Sequence, residues 1–562
     1  MKIALAQINP TVGDFVGNTN KILEFAERAV GLAADLVVFP ELAVCGYPPA
    51  DLLEKRSFVA RAQTALEGLV RWTATPGRPT LLVGTVMPAN SPEGKHVRNV
   101  AVLVGGGEIL HIQQKMLLPF YDVFDEQRYF EPAASQSLTT IPTPAGPAPV
   151  AITICEDAWN DKDFWPRRNY AVDPVDELMG KWDAQPAALR TQPKLIVNIS
   201  ASPFWKSKRE VRQKMLGAIA QRHGALVAMT NQVGGNDSLI FDGSSLAVGA
   251  DGALVAQASS FVEDLILIDT AAAPPIAPPV SDDVAAIWDA LVLGTRDYVR
   301  KCGFRKTIIG LSGGIDSALV AAIAVEALGA ENVMGVGMPS EYSSEGSKDD
   351  ARDLALRLGI RFEMLAIHDI YNRYMETLGP LFVGTPFGLA EENLQSRSRG
   401  VLLMSLSNKF NALVLTTGNK SEMSTGYCTL YGDMVGALAV IGDVMKTRVY
   451  ELSRYANRER EIIPLATIEK PPSAELRPDQ KDTDSLPPYD VLDPILEAYV
   501  ERYCSAEEIA AEQKVDVALV RQVLKLVERC EYKRQQAAPV LKVTEKSFGN
   551  GRRFPIAVKV EV

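Results

Sequence analysis

Short runs of consecutive apolar residues recur along the first half of the chain, separated by polar stretches that contain glycine. Runs of this length that are rich in Val, Ile and Leu are typical of buried β-strands. A helix is predicted over Asn18–Leu32, because a helical period gives this segment one apolar face. That face consists of Ile22, Ala26, Ala29 and Val30. The predicted strands are Lys2–Ile8, Asp35–Phe39, Thr80–Val86, Asn99–Val104, Ile109–Gln113, Val150–Ile154, Lys194–Ile199 and Ala225–Thr230.

The second half of the chain alternates apolar strands with longer helical stretches. Helices are predicted over Ala318–Leu328 and Lys348–Leu358, and the segment beyond Tyr489 has a helical pattern without a sharp signal. This alternation indicates βαβ units around a parallel sheet, whereas the first half indicates an α/β or α+β sandwich. The predicted strands of the second half are Thr307–Leu311, Asn332–Met338, Arg361–Ala366 and Ala412–Thr416.

A proline-rich segment separates the two halves. The sequence AAAPPIAPPV spans residues 271–280, and prolines so close together favour extended, semi-rigid backbone. We therefore predict one domain over residues 1–270, a linker over 271–280 and a second domain over 281–562. A chain of 562 residues is also longer than a domain with a single hydrophobic core usually is.

Composition narrows the class of protein. The net charge of −11 argues against a general nucleic-acid-binding surface, because neutralising phosphates requires clustered Lys and Arg. The six cysteines form no CxxC pair, so neither a disulfide framework nor a zinc site is indicated. The longest apolar helical run, Ala318 to Ala330, contains Glu326 and is too short to span a membrane. We expect a cytoplasmic protein without nucleic-acid or membrane partners.

Three islands of the first half place a chemically active side chain at the carboxyl end of an apolar strand: Glu41 in LVVFPEL, Lys115 in ILHIQQKMLLPFYDVFDEQRYF and Cys155 in VAITICEDAW. Amide hydrolysis requires a nucleophile, a base and a group that stabilises the oxyanion. We expect Cys155 to be the nucleophile and Glu41 the base. Lys115 would stabilise the oxyanion and favour ionisation of the thiol. Alone, each residue is more often structural, whereas their order and flanking strands favour catalysis.

These islands resemble the nitrilase or carbon–nitrogen hydrolase superfamily, which uses a Glu-Lys-Cys triad, and the opening KIALAQINP and the strand KLIVNISASPF are similar too. The resemblance implies a four-layer α-β-β-α sandwich for the first domain. It also implies that Tyr121, Ser202 and Lys208 hold the glutamine side chain or its α-amino and carboxylate groups.

The sequence TIIGLSGGIDSALVAAIAVEALG predicts a buried strand, a tight loop and a helix that begins near Ser317. Such a loop can bring backbone amides and a helix N-terminus to a phosphate. Asp316 beside phosphates indicates an intervening Mg²⁺. The loop lacks the Gly-Lys-Ser/Thr ending of a Walker A motif, so γ-phosphate transfer is not indicated. The predicted ATP-binding residues of the loop are Gly310, Leu311, Ser312, Gly313, Gly314, Ile315, Asp316 and Ser317.

The loop resembles the SGGxDS pyrophosphate loop of ATP pyrophosphatases, which adenylate a carbonyl oxygen and let a nucleophile displace AMP. Further islands resemble NAD synthetases: EENLQSRSRG, LTTGNKSE, YGDMVGALAVIGDVMKT, PPSAELRPDQKDTDSLPPYD and EYKRQQAAPVLKV. The resemblance implies a Rossmann-like parallel-sheet domain, with Thr417 and Lys446 contacting ATP. It leaves open whether Glu422 shares Mg²⁺ with Asp316 or contacts deamido-NAD. The residues implied to bind deamido-NAD are Asn393, Glu422, Asp433 and Lys533.

Simpler interpretations exist for several of these residues taken singly. Arg397, Lys420 and Lys533 could be solvated surface charges, and Asp433 could cap a helix. As an ordered series they favour the glutamine-dependent NAD synthetase family, a ligase with ATP as co-substrate, Mg²⁺ as cofactor and a homo-oligomeric assembly. Two alternatives stay open at this point. One is another ATP-dependent, AMP-forming glutamine amidotransferase, and the other is a nucleotide-binding regulatory protein with an inactive hydrolase module.

Overall fold

The computed structural model describes residues 1–89, 92–144, 146–185, 193–472, 475–477, 480 and 482–559. The chain forms two compact units. The first contains Met1–Asn236 and Ile240–Ser281, and the second contains Asp237–Leu239 and Asp282–Val562. The predicted linker, residues 271–280, falls at the end of the first unit, and the predicted domain limits stay a prediction.

Two six-stranded sheets dominate the first unit, with the orders β14-β1-β2-β3-β4-β5 and β13-β12-β9-β8-β7-β6. In the first sheet β1, β2 and β3 are parallel, and in the second β7, β8 and β9 are parallel. All eight strands predicted for this half are confirmed. The strands are β1 (Lys2–Gln7), β2 (Leu36–Val38), β3 (Thr80–Pro88), β4 (Val97–Gly105), β5 (Glu108–Gln114), β6 (Thr139–Ile141), β7 (Ala148–Ile154), β8 (Lys194–Ser200), β9 (Ala225–Asn231), β10 (Val233–Asn236), β11 (Leu239–Asp242), β12 (Leu246–Val248), β13 (Leu254–Gln257) and β14 (Asp264–Asp269).

The core of the first unit lies between these sheets. Leu5 and Leu103 of one sheet belong to the same buried cluster as Ile152 and Val197 of the other. Helices cover the outer faces, and Trp182 lies in the cluster formed on the second sheet. The layers are therefore helix, sheet, sheet and helix, and the expected α-β-β-α sandwich is confirmed. The helices of this unit are α1 (Phe15–Gly31), α2 (Arg56–Thr73), α3 (Glu126–Tyr129), α4 (Pro174–Asp183) and α5 (Lys208–His223).

Helix α1 differs in two details from the prediction. It begins at Phe15 rather than Asn18, because the Asp14 carboxylate accepts a hydrogen bond from the Gly17 amide and caps the helix. Ile22, Ala26 and Ala29 of the predicted apolar face are buried, whereas Val30 is 36% exposed near the helix end.

The second unit is built on a parallel sheet with the order β17-β16-β15-β18-β19. This arrangement confirms the predicted parallel-sheet domain and its four predicted strands. Helix α7 begins at Ile315, two residues before the predicted start, and carries the apolar run of the sequence into the interior. The strands are β15 (Thr307–Gly310), β16 (Val333–Gly337), β17 (Arg361–Met364), β18 (Leu413–Thr416) and β19 (Leu438–Ala439).

Helices form the rest of the second unit, including the predicted helical segment beyond Tyr489. Apolar residues of α14, α15 and α16 pack in one cluster with Met423 and Val540. The described residues contain no helix that is long and apolar enough to cross a membrane. The helices are α6 (Asp283–Lys301), α7 (Ile315–Leu328), α8 (Glu345–Leu358), α9 (His368–Phe382), α10 (Leu389–Phe410), α11 (Lys420–Thr425), α12 (Lys446–Ala456), α13 (Leu465–Glu469), α14 (Tyr489–Val500), α15 (Ala506–Gln513), α16 (Val517–Arg529) and α17 (Glu531–Arg534).

Candidate active sites

Cys155 lies at the carboxyl end of β7, as the sequence predicts. It is the first residue of a short 3-10 turn, Cys155–Ala158, and its φ of 42° is unusual for a residue with a side chain. The Asp157 carboxylate accepts a hydrogen bond of 3.1 Å from the Ile154 amide and fixes this turn. A strained backbone held by its surroundings is typical of a residue placed for function.

Glu41 and Lys115 meet in the interior of the first unit. The Lys115 Nζ lies 2.6 Å from Glu41 Oε1, and both side chains are fully buried. The Asn99 side-chain amide also donates to Glu41 Oε1, at 2.7 Å, and the Ala201 amide donates to Glu41 Oε2, at 3.1 Å. A Cβ at Gly84 would lie 2.4 Å from the Leu42 nitrogen, so only glycine lets β3 approach this loop. Glu41 is therefore held rigidly beside Lys115.

A second glutamate, Glu126, belongs to this cluster and was missed by the sequence analysis. The Lys115 Nζ lies 2.8 Å from both Glu126 carboxylate oxygens, and the Tyr47 hydroxyl donates to Oε1 at 2.9 Å. Burial, with a smaller contribution from Glu41, raises the pKa of Glu126 to about 7. Glu126 begins a four-residue helix rather than following an apolar strand, so the strand-end pattern did not mark it. Its position in the DEQRYF island near Lys115 was the available signal.

Burial and two neighbouring charges determine the pKa of the Cys155 thiol. Burial and then the Glu41 carboxylate raise the pKa of the Cys155 thiol, and the opposing effect of Lys115 is smaller. Lys115 itself lowers the pKa of the thiol, as predicted, but burial outweighs its effect. The three side chains interact nevertheless, since both Glu41 and Lys115 shift the pKa of Cys155. A neutral thiol that gives its proton to a nearby base as it attacks fits this arrangement.

Two of the three predicted glutamine-binding residues lie around Glu156, the residue after Cys155. The Tyr121 hydroxyl donates to both Glu156 oxygens, at 3.1 and 2.9 Å, and Lys208 is close enough to lower the pKa of Glu156. The Lys208 Nζ donates to the Pro203 carbonyl at 2.8 Å. Ser202 lies directly after Ala201, the residue that binds Glu41, and its amide donates to Asn231 Oδ1 at 2.8 Å.

The phosphate loop of the second unit connects β15 to α7. Gly314 is the N-cap of α7, so the first amides of that helix face the loop. The Ser317 hydroxyl donates to the Gly314 carbonyl at 3.0 Å and closes the turn. Gly313 has φ +79°, and a Cβ there would lie 2.2 Å from the Ser347 carbonyl oxygen of α8. Glycine is therefore required at Gly313 by both conformation and space.

A cavity of about 320 Å³ opens beside this loop in the second unit. Arg399 and Lys470 also line it, and neither residue was singled out from the sequence. Burial lowers the pKa of Arg399 to about 10. Gly313, Asn393 and Lys533 are absent from the lining. The predicted residues that line the cavity are Gly310, Leu311, Ser312, Gly314, Ile315, Asp316, Ser317, Thr417, Glu422, Asp433 and Lys446.

Asp316, Glu422 and Lys446 converge on one side of the cavity. The Lys446 Nζ contacts Asp316 Oδ2 and lies 3.8 Å from Glu422 Oε1. Asn419 joins the two carboxylates: its Nδ2 donates to Asp316 Oδ1 at 2.9 Å, and its backbone amide donates to Glu422 Oε2 at 3.2 Å. Burial and then repulsion from Asp316 raise the pKa of Glu422 to about 8. The pair of carboxylates therefore has a deficit of positive charge.

The two predicted substrate residues outside the cavity make internal contacts. The Thr429 hydroxyl donates to Asn393 Oδ1 at 2.7 Å, and the Lys533 Nζ donates to the carbonyls of Gly426 and Cys428, both at 2.7 Å. Lys533 still lies near the cavity, because it lowers the pKa of the lining residue Cys428. The interpretation of Lys533 as a solvated surface charge was wrong.

The alternative interpretations of Asp433 and Lys420 are also wrong. The Asp433 carboxylate accepts hydrogen bonds from the Thr429 amide and the Ser396 hydroxyl, at 2.8 and 3.3 Å, within a turn rather than at a helix start. Lys420 is fully buried, and its Nζ lies 2.9 Å from Asp443 and 2.7 Å from Glu501.

Residues 542–546 complete the surroundings of Lys420. Its Nζ also donates to the Thr544 hydroxyl and the Lys546 carbonyl, each at 2.7 Å. The Asp443 carboxylate accepts hydrogen bonds from the amides of Val543 and Thr544, at 2.8 and 2.7 Å. This buried network anchors α11, the helix that carries Glu422.

Profiles of known families match both halves of the chain. The carbon–nitrogen hydrolase family matches residues 2–172, and the NAD synthase family matches residues 287–537. Among solved structures, a glutamine-dependent NAD+ synthetase from Acinetobacter baumannii in complex with adenosine diphosphate is 39% identical, with a TM-score of 0.75. The match covers 99% of this chain and 98% of that one. A synthetase of the same name from Cytophaga hutchinsonii, 22% identical with a TM-score of 0.80, supports the fold.

Two relatives match nearly the whole chain. The chain is 49% identical to the glutamine-dependent NAD(+) synthetase of Synechocystis sp. over 99% of its length and 98% of that protein. It is 42% identical to the enzyme of that name from Thermotoga maritima, with the same two coverages. Identity of this extent, spanning both the Cys155 site and the phosphate-loop cavity, places the chain in the glutamine-dependent NAD(+) synthetase family.

Proposed function

We propose that this chain converts deamido-NAD(+) to NAD(+), with glutamine as nitrogen donor and ATP as co-substrate. The observation that carries the proposal is one chain with two chemical sites. One is the buried Glu41–Lys115 pair beside Cys155, and the other is the cavity bordered by the SGGIDS loop. Glutamate, AMP and diphosphate are the expected by-products.

In the first unit, the Cys155 sulfur attacks the side-chain amide carbon of glutamine. Glu41 accepts the thiol proton and passes it to the departing nitrogen, so ammonia leaves and a thioester remains. Lys115 donates to the oxygen that becomes negative during attack. Water, deprotonated by Glu41, then hydrolyses the thioester to glutamate and restores the thiol. The fixed Lys115–Glu41 contact of 2.6 Å supports this division of roles.

In the second unit, the nicotinate carboxylate of deamido-NAD attacks the α-phosphorus of ATP and displaces diphosphate. Ammonia then attacks the activated carbonyl carbon, and AMP leaves. The free amides at the start of α7 are available to phosphate oxygens. Thr417 and Lys446 line the same cavity and are assigned to ATP, whereas Asp433 is assigned to deamido-NAD. Asn393 and Lys533 act in this scheme indirectly. Both form hydrogen bonds with the 426–429 turn, which contains the cavity-lining residue Cys428, and so hold this part of the deamido-NAD site in place.

Mg²⁺ is part of the proposal, and the residues present fit it. Asp316 and Glu422 provide hard oxygen ligands, and the raised pKa of Glu422 marks a place where added positive charge is favourable. The described residues contain no group of three or more His, Cys, Asp or Glu side chains that could hold a metal. Asp316 and Glu422 would therefore share the ion with phosphate oxygens and water. When bound, Mg²⁺ offsets the negative charge of the phosphates.

Two variants test whether the first unit releases ammonia and the second unit uses it. Cys155→Ala should abolish NAD formation from glutamine and preserve NAD formation from ammonium salts, because ammonia enters after the thiol chemistry. Asp316→Asn should impair both syntheses and preserve hydrolysis of glutamine. NAD detected by mass spectrometry, together with glutamate release, provides the measurement. If Cys155→Ala lost both syntheses equally while remaining folded, the two-site scheme would be wrong.

A homo-oligomeric assembly and a cytoplasmic location complete the proposal. At the end of α9, in the connection that follows it and at the start of α10, the side chains of Leu381, Val383 and Leu389 are 78%, 82% and 75% exposed, which is unusual for large apolar residues so close in sequence. Burial against a second copy of the chain would remove this surface from water. Light scattering on the purified protein tests the assembly, and a monomer at all concentrations would contradict it.

The proposed cytoplasmic location is supported by the cysteines, which are scattered along the chain and unpaired, as expected in a reducing compartment.

A further inference from the structure

One buried side-chain amide connects the two carboxylates of the proposed metal site. Asn419 is the N-cap of α11 and is fully buried. Its Oδ1 accepts a hydrogen bond of 3.0 Å from the Glu422 amide, and its Nδ2 donates to Asp316 Oδ1 at 2.9 Å. Because Oδ1 faces an N–H donor, the amino group of this side chain is the part that faces Asp316. Asn419 therefore caps a helix with one atom and binds a carboxylate with the other.

The hydrogen bonds of Asn419 engage one oxygen of each carboxylate. Asp316 uses Oδ1 for the Asn419 side chain, and Glu422 uses Oε2 for the Asn419 backbone amide, at 3.2 Å. The other two oxygens lie beside the Lys446 ammonium group. Its Nζ contacts Asp316 Oδ2 and is 3.8 Å from Glu422 Oε1. Each carboxylate therefore presents one oxygen to positive charge and keeps the other on Asn419.

This division of the oxygens affects which divalent cation suits the pair. Mg²⁺ is small and requires near-octahedral geometry, which the two closely spaced oxygens of one carboxylate do not provide. Ca²⁺ is larger, takes about six to eight oxygen ligands in flexible geometry and accepts both oxygens of a carboxylate. A carboxylate that has one oxygen bound to a neighbouring amide presents a single ligand, so the observed arrangement favours Mg²⁺.

We propose that Asn419 is a positioning residue that makes the pair of Asp316 and Glu422 select Mg²⁺ over Ca²⁺. This inference rests on the proposed ATP-dependent function and adds the residue that determines its choice of metal. Asn419 is absent from the lining of the cavity, so it acts through the two carboxylates. Its hydrogen bonds keep one oxygen of each carboxylate away from the cation and hold the other two in a fixed relation.

A role of Asn419 in stability alone makes a different prediction. An N-cap contributes about 1 kcal/mol to the stability of a helix, so its loss weakens the second unit whether or not a cation is bound. Serine caps helices about as well as asparagine does, but its side chain is too short to cap the helix and also donate to Asp316. Asn419→Ser therefore removes the contact with Asp316 and keeps the cap, whereas Asn419→Ala removes both.

The experiment measures the dissociation constants of Mg²⁺·ATP and Ca²⁺·ATP for the full-length protein by titration calorimetry, without deamido-NAD. The unmodified protein should bind the Mg²⁺ complex at least about 10-fold more tightly than the Ca²⁺ complex. In Asn419→Ser and Asn419→Ala the two constants should come within about 3-fold of each other. Only Asn419→Ala should also have a clearly lower Tm.

Ser505→Ala is the matched control. Ser505 is the N-cap of α15 and, like Asn419, belongs to a capping box. Its replacement should lower the Tm and leave the ratio of the two dissociation constants unchanged. A ratio that falls as far in Ser505→Ala as in Asn419→Ser would overturn the inference, because lost stability alone would then account for the lost selectivity.

The outcomes separate the inference from the function on which it rests. If the unmodified protein binds ATP with neither cation and forms no NAD, the proposed function fails and the inference fails with it. If it binds Mg²⁺·ATP and Asn419→Ser keeps the full preference for Mg²⁺, the assignment of Asn419 is wrong while the proposed function stands.

Asn419→Asp takes the place of the serine variant should the latter fail to fold. Aspartate caps helices as well as asparagine does and has nearly the same size, but it turns a carboxylate oxygen instead of an amino group towards Asp316. An additional oxygen ligand favours Ca²⁺, so the preference for Mg²⁺ should fall at least as far as expected for Asn419→Ser. An unchanged preference in Asn419→Asp would overturn the inference.

Discussion

Replacing Gly313 by alanine should destabilise the second unit far more than the same replacement at Gly314. At Gly313 the backbone has φ +79°, and the new Cβ would lie 2.2 Å from the carbonyl oxygen of Ser347 and 2.8 Å from its Cα. The left-handed conformation costs a residue with a side chain about 1–2 kcal/mol. Relieving a steric clash in a packed region costs about 1–3 kcal/mol. The expected loss is therefore about 2–5 kcal/mol.

Gly314 provides the matched control in the same loop. Its φ of −92° is open to any residue, and the nearest atom to a new Cβ is the Ser312 hydroxyl oxygen, at 3.2 Å. A side-chain hydroxyl can rotate away, whereas the Ser347 carbonyl belongs to α8 and cannot move alone. Gly314→Ala should therefore cost less than about 1 kcal/mol.

Calorimetric melting in the absence of nucleotide measures both variants. Because 1 kcal/mol shifts the Tm of a large domain by about 2–4 °C, Gly313→Ala should lower the Tm of the second unit by at least about 4 °C. Glutaminase activity at low temperature should be retained and shows that the first unit is folded. Equal melting temperatures for Gly313→Ala and Gly314→Ala would refute the steric argument.

Three further predictions concern buried charges. Lys420→Met should destabilise the second unit by about 3–5 kcal/mol, because Asp443 and Glu501 would remain buried without their cation; exposed Lys525→Met serves as the control, and equal denaturation midpoints would disprove the role. The pKa of Glu126 is raised from 4.5 to about 7, so its stabilising contribution is complete below pH 4.5 and is lost as the pH rises through 7. Glu126→Gln should therefore flatten the decrease in Tm between pH 4.5 and 7, and unchanged slopes would contradict this assignment. Mg²⁺ with ATP should raise the Tm of the unmodified protein more than that of Glu422→Gln, and equal increases would remove Glu422 from the metal site.

Residues at strand ends were accessible to sequence analysis, because an apolar run fixes both the strand and the position of the side chain that follows it. Cys155 after β7 and Lys115 after β5 are the clearest cases. Their chemistry then became visible through the types of residue and the similarity to known families. The α-β-β-α layers were predicted from the resemblance to the carbon–nitrogen hydrolase superfamily and not from the periodicity of apolar residues.

Contacts between residues that are remote in sequence could not be predicted from the sequence. Glu126 binds Lys115 from a short helix, and Asn419 joins Asp316 to Glu422 across 103 positions of the chain. The net pKa of Cys155 was also beyond sequence reasoning, because burial outweighs the effect of Lys115. A surface position was a possible interpretation of Lys420, because nothing in the polar residues around it indicates that the side chain is buried. In each case the missing information is the distance between segments remote in sequence.

The contacts of residues 542–546 have a consequence for biosynthesis. Lys420 and its partner Thr544 are 124 positions apart, so at about 5–20 residues per second a ribosome needs about 6–25 s to produce the second after the first. Until residues 543–546 have been made, the Lys420 ammonium group and the Asp443 carboxylate lack the hydrogen-bonding partners that those residues provide. The helix that carries Glu422 can therefore reach its final environment only after Thr544 has been made, and a chain that stops short of Thr544 should emerge as a substrate for chaperones and proteases.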